Sequence, residues 1–138
     1  QFGMPSARFR ILGTLLGLAG IDGLLNWGYN FWYSRFSIDQ TLNPWQDTDA
    51  DRTYCGGGSF LVYPGKDGRP VDSIRFEVFR EAMQDLRAIQ MLKEKIGAEA
   101  AGKFIHDGLD RPITFHRYPR SAQWLLALRE RINRELCR

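Results

Sequence analysis

Hydrophobic and polar positions along this chain follow two different periods, and the period changes where Gly and Pro cluster. Ile11, Leu15, Leu16 and Leu18 recur at near-helical spacing after Pro5-Ser6 and before Gly20, which predicts a short buried helix over about 5–19. Asp22 to Tyr29 reads as an apolar strand, about 22–29, followed by a long loop to about 58. Ser59-Phe60-Leu61-Val62-Tyr63 is a short strand stopped by Pro64-Gly65. The turn-rich Gly65 to Pro70 then leads to a long helix, about 73–96, with Asp72 or Ser73 as its N-cap. Phe79, Met83, Leu86, Ile89, Leu92 and Ile96, three or four apart, give that helix one buried stripe. A shorter helix covers Ala98 to His106, and a last one from near Pro119 carries Leu125, Leu128, Ile132 and Leu136 on one face. The series is α/β, yet it holds only one long strand. One strand makes no sheet, so the sheet is expected to be finished by residues outside this sequence.

The expected strand does not end as a covered strand should. Its apolar run passes into Trp27, Gly28, Tyr29, Asn30, Phe31 and Trp32, flat aromatic faces beside an amide. That composition suits the mouth of a pocket that receives sugar rings, whose C–H faces pack on aromatics while their hydroxyls need donors and acceptors. Core packing is the competing reading of the same residues.

Length, at 138 residues with 43% hydrophobic, allows one core and one domain. A formal charge of +3, with the basic excess after residue 110, fits a solvated helix face and gives no case for a nucleic-acid partner. The basic Met4–Arg10 segment before the apolar Ile11–Gly20 mimics a secretory leader, but no A-x-A cleavage site follows. No stretch approaches the roughly 18 apolar residues of a membrane span. Cys55 and Cys137 neither demand nor exclude a disulfide and say little about compartment, which stays open between a bacterial-type cytoplasmic and a secreted protein.

Asp47-Thr48-Asp49-Ala50-Asp51 spaces carboxylates as a calcium loop begins, but Arg52 then stands where glycine is needed and Gly58 where glutamate is needed. A solvated loop with one functional carboxylate is the better reading. Gly56-Gly57-Gly58-Ser59 precedes a strand and lacks the lysine of a phosphate cradle, so it reads as a flexible linker. His106 and His116 have no partners at zinc spacing and read as structural or surface residues. Cys55 has no nearby histidine to activate it as a nucleophile. No adjacent Asp-Glu pair exists for acid–base chemistry, which points such a pair elsewhere.

Several motifs in order carry a resemblance: Met4-Pro5-Ser6-Ala7-Arg8-Phe9-Arg10-Ile11, Gly20 to Trp32, Asn43-Pro44, Phe60 to Gly68, and Asp72 to Ala82 followed by Gln84-Asp85-Leu86-Arg87. In these the chain, over roughly residues 4–136, resembles the C-terminal part of the glycoside hydrolase family 123 catalytic domain and its uncharacterised relatives. The resemblance implies the C-terminal segment of a (β/α)8 TIM-type barrel with added C-terminal helices, mostly helical in this piece. Residues 1–138 are then a single partial domain, with 4–97 the last helix, strand and helix units and 98–138 a helical extension. A whole barrel needs at least about 200 residues.

What the family implies chemically is β-N-acetylgalactosaminidase activity by substrate-assisted retention, in which the substrate's acetamido oxygen attacks the anomeric carbon. The acid and the acetamido-orienting residue are expected upstream, so no catalytic residue is assigned here, and no metal or cofactor is implied. The substrate-binding residues implied are Trp27, Tyr29, Asn30 and Trp32, with Asp47 and Tyr63 in the following loop and strand. Arg75 and Glu77 are motif residues for which a structural ion-pair role is the stronger expectation. The expected partners are an N-acetylhexosamine-containing glycan and either the missing barrel portion or a second copy. The alternative is a non-catalytic carbohydrate-binding or scaffold module.

Overall fold

A computed structural model of the chain describes residues 4–21, 23–26, 28–31 and 42–138. Among them are four helices, α1 (Ser6–Ala19), α2 (Ile74–Ile96), α3 (Ala98–His106) and α4 (Ala122–Leu136), and two strands, β1 (Val62–Pro64) and β2 (Pro70–Asp72). No barrel is present among the described residues. The chain divides into two compact units, a helical one of Pro5–Leu24 with Val78–Arg138 and a loop-rich one centred on Leu25–Glu77.

In the helical unit the periodicity of the sequence becomes packing. Ala88, Ile89 and Leu92 of α2 meet Ala101 and Ile105 of α3 and Leu128 and Ile132 of α4 in one cluster, and Ile11 and Leu15 of α1 meet Leu125 in another. Helix α1 approaches α2 through small residues, since a Cβ on Gly13 would stand 1.8 Å from the Ala82 carbonyl oxygen. It ends as expected at Gly20, whose left-handed φ of 68° lets Ile21 N–H reach Leu16 O at 3.0 Å. Lys93 Nζ donates to Gly17 O at 2.5 Å, placing a cation at the carbonyl end of that helix.

Buried Asp85 ties three helices of this unit together. Arg10 of α1 grips it through Nε at 2.6 Å and Nη2 at 3.0 Å, and Arg129 of α4 donates to its Oδ1 at 2.7 Å. The hydrogen bond to Asp85 raises the Arg10 pKa against the opposing effect of burial, with further help from the charges of Asp85 and Glu81. His106 is structural, as expected: Ile113 N–H donates to its Nε2 at 3.0 Å, so its Nδ1 carries the proton facing Gly102 O at 2.8 Å.

The loop-rich unit departs further from expectation. Residues 23–26 and 28 form no strand, and only Asn30 pairs, in an isolated antiparallel bridge with Phe60. A two-faced apolar strand requires neighbours on both edges. Among the described residues this segment has none, and Leu25 is 95% exposed. The short strand starts three residues later and ends one residue later than expected, and it has a partner that the sequence hid. Strands β1 and β2 pair antiparallel with Tyr63 opposite Val71, across a loop in which Gly65 N–H donates to Arg69 O at 2.8 Å. A β2 of three residues beginning with Pro has no alternation to detect.

The glycine run expected to be a linker is packed instead. Gly57 N–H donates to Thr48 O at 2.7 Å and buried Ser59 Oγ to the same carbonyl at 3.2 Å. Helix α2 starts at its expected cap, Ser73, whose Oγ accepts from Phe76 N–H at 3.2 Å.

Candidate functional site

Two short backbone pairings build one aromatic surface in the loop-rich unit. Tyr29–Phe31 run antiparallel to Ser59–Leu61, with Phe31 N–H to Ser59 O and Leu61 N–H to Tyr29 O both at 2.8 Å. Ser73 N–H donates to Leu61 O at 3.2 Å just before α2 begins, so the start of α2 and the 59–63 segment are fixed to one another. Phe60 between them is fully buried.

Tyr63 is held on three sides. Its ring stacks on Phe60 at 5.6 Å between centroids and lies 4.9 Å from the ring of Trp45, while its hydroxyl accepts from Arg75 Nη2 at 3.0 Å. Arg75, on the first turn of α2, also donates to Phe60 O from Nε at 3.1 Å and Nη2 at 2.6 Å, and its guanidinium carbon lies 5.8 Å from the Tyr63 centroid. A carbonyl and a phenol are thus among its partners, where an ion pair was the expectation.

The other sequence-derived residues fall into three groups. Trp27 and Trp32 lie outside the described residues. Tyr29 is 63% exposed, with its ring 6.2 Å from that of Phe76. Asn30 and Asp47 use their polar groups on nearby backbone. The Asn30 amide faces β1, either accepting from Val62 N–H at 3.3 Å or, with oxygen and nitrogen exchanged, donating to Tyr29 O at 2.6 Å and Val62 O at 2.8 Å. The exchanged orientation satisfies both amide atoms, as a wedged amide should. Asp47 accepts from Asp49 N–H at 3.2 Å and from Asp51 N–H at 3.1 and 3.3 Å. These bonds brace three successive left-handed residues, Ala50, Asp51 and Arg52, with φ of 54°, 53° and 62°. The carboxylate run is therefore a self-bracing loop, and no group of three metal-ligating side chains occurs among the described residues.

One aromatic that the sequence reading passed over belongs to this surface. Trp45 is 58% exposed, although its indole N–H donates to Pro64 O at 3.2 Å and its ring packs against Tyr63. Its backbone is fixed by a turn at Asn43-Pro44: Asn43 O accepts from Gln46 and Asp47 N–H at 3.0 and 2.8 Å, and Asn43 Oδ1 accepts from Trp45 N–H at 3.0 Å. The signal was available, because a tryptophan third in an Asn-Pro turn sits on a protrusion where no core can cover it.

Among the described residues no helix is long and apolar enough to cross a membrane. No curated protein matches the sequence significantly. The family model described as glycoside hydrolase 123, catalytic domain, does match, over residues 2–92 of the 138. That span holds α1, the whole aromatic surface and all but the last turn of α2; α3 and α4 lie beyond it. The chain belongs to the glycoside hydrolase family 123 catalytic-domain family.

Proposed function

We propose that this chain is the sugar-contacting terminal segment of a (β/α)8 catalytic domain that hydrolyses N-acetylhexosaminides with retention, assisted by the substrate's own acetamido group. The match to a glycoside hydrolase catalytic domain carries this reading. Residues 1–138 then form one partial domain, with 4–97 as the last barrel units and 98–138 as a helical extension. The acid and the acetamido-orienting residue come from outside these residues, and Trp27, Tyr29, Asn30, Trp32, Asp47 and Tyr63 line or support the sugar site. Asn30 and Asp47 act in this scheme by shaping the backbone that bears the aromatics.

The same proposal accounts for the exposed apolar segment before Tyr29. Ile21, Leu24 and Leu25 are open to solvent, as they would be in a barrel strand separated from its neighbours. The chain therefore associates with the remaining barrel or, failing that, with a second copy. The alternative is a non-catalytic carbohydrate-binding or scaffold module that keeps the aromatics without the chemistry.

Hydrolysis of p-nitrophenyl N-acetyl-β-D-galactosaminide tests the proposal, comparing the 138-residue chain alone with the same chain in a complete barrel. The complete domain should turn over and release the β-anomer first, seen by proton NMR, while the chain alone should be inert. Sugar binding without turnover by the complete domain would favour the module.

A further inference from the structure

We infer that Trp45 is a sugar-stacking platform of this domain, a ligand contact additional to the aromatics of the expected strand. The inference rests on the glycosidase reading above, and its grounds are the state of the indole itself. A tryptophan that serves a core is covered, and one left on a surface by chance is ordinarily mobile. Trp45 is neither, being 58% exposed yet restrained at every point where an indole can be restrained.

Its single donor is satisfied by Pro64 O at 3.2 Å, so the ring asks nothing polar of a ligand. Its ring is backed by Tyr63, 4.9 Å away at an interplanar angle of 34°, and Tyr63 is in turn backed by Phe60 and tethered to Arg75. Its backbone is set by the Asn43 turn. The result is a pre-oriented apolar plate with one face supported, which a ligand can cover without ordering a side chain first. The occupant that matches such a plate in a glycoside hydrolase is a pyranose ring, whose C–H face pairs with an aromatic face while its hydroxyls stay toward water or polar groups. A peptide or lipid would be expected to need a longer apolar groove.

The test uses the complete catalytic domain, p-nitrophenyl N-acetyl-β-D-galactosaminide for turnover and N-acetylgalactosamine as the binding probe. Trp45→Ala should raise KM and the sugar Kd about tenfold with a smaller change in kcat, and Trp45→Phe, which restores a flat face, should recover most of that loss. In the wild-type protein, oxidation of Trp45 by N-bromosuccinimide, mapped by mass spectrometry, should fall about threefold on saturation with the sugar relative to Trp124 of α4. That measurement decides the matter if Trp45→Ala fails to fold. Unaltered KM in Trp45→Ala, or equal oxidation of Trp45 with and without sugar, overturns the platform while leaving the glycosidase reading intact. A wild-type domain that neither binds nor hydrolyses the probes overturns both.

Discussion

In the helical unit a buried carboxylate, Asp85, is met by arginines from two other helices, 75 and 44 residues away in the chain. In the loop-rich unit a carboxylate, Asp47, is met by the backbone two and four residues further on. The first arrangement makes distant segments depend on one another, so the unit should unfold as a whole. The second sets the shape of one loop and little else. Function tends to sit on parts of the second kind, where a surface can be shaped without disturbing a core. The aromatic platform at Trp45 lies just before the braced loop.

The largest effect should come from breaking the long-range arrangement. Asp85→Ala leaves Arg10 and Arg129 without their shared partner in a partly buried site, and should cost about 3–5 kcal/mol of stability. Chemical denaturation of wild type and variant reads this directly. A loss below about 1 kcal/mol would mean that the pair is effectively solvated. The raised Arg10 pKa has a defined sign: the stabilisation linked to Arg10's own titration is fully present at neutral pH and fades only in strong alkali. The Arg10 side of the contact should therefore add no pH dependence between about pH 5 and 9.

Next in size is the close approach of α1 to α2. Gly13→Ala gains helix propensity worth up to about 1 kcal/mol, but its methyl would have to enter space 1.8 Å from the Ala82 carbonyl oxygen, so the net effect should be a loss of about 2 kcal/mol. Gly102→Ala in α3 is the matched control, because nothing stands within 4 Å of the new methyl. It should stabilise by about 0.5–1 kcal/mol. Thermal melts of the two variants that moved in the same direction would show that propensity, not packing, decides at Gly13.

This contrast also explains what was legible in the sequence. Helix α3 starts and stops where its composition says, and α2 and α4 begin at serines whose hydroxyls accept from the third residue beyond. Such features are written in neighbouring residues. The partners of Asp85 are not, because the motif Gln84-Asp85-Leu86-Arg87 says nothing about Arg10 or Arg129. The expected strand at 22–29 is not formed at 23–26 and 28 for a related reason: its apolar residues record a need for neighbours, and the described residues provide none to that stretch. Strand β2 is too short for any period to register, and the glycines at 56–58 resemble a linker until Gly57 N–H is seen to satisfy Thr48 O. At the candidate site the aromatic character was legible, whereas the choice of Trp45 as a fixed, open face depended on contacts to Tyr63 and Pro64 nearly twenty residues away.

The smallest predicted effect is the one that most sharpens the difference between the units. Asp47→Asn keeps one acceptor oxygen but replaces the other with a donor, which cannot accept from the Asp51 N–H that now contacts both carboxylate oxygens. Losing one charge-assisted bond should cost about 1 kcal/mol. The left-handed run at Ala50, Asp51 and Arg52, unfavourable by about 1–2 kcal/mol per residue for ordinary side chains, should then relax. Because the bracing is local, the loss should appear as faster amide hydrogen exchange across residues 48–57, while exchange in α2, α3 and α4 stays at the wild-type rate. The Trp45 turn lies on the N-terminal side of Asp47 and keeps its own bonds to Asn43, so its amide protection should hold. Uniform acceleration through the helices as well would mean that the loop is part of the same cooperative structure as Asp85, and the proposed separation between a shaped surface and a stabilising core would fail.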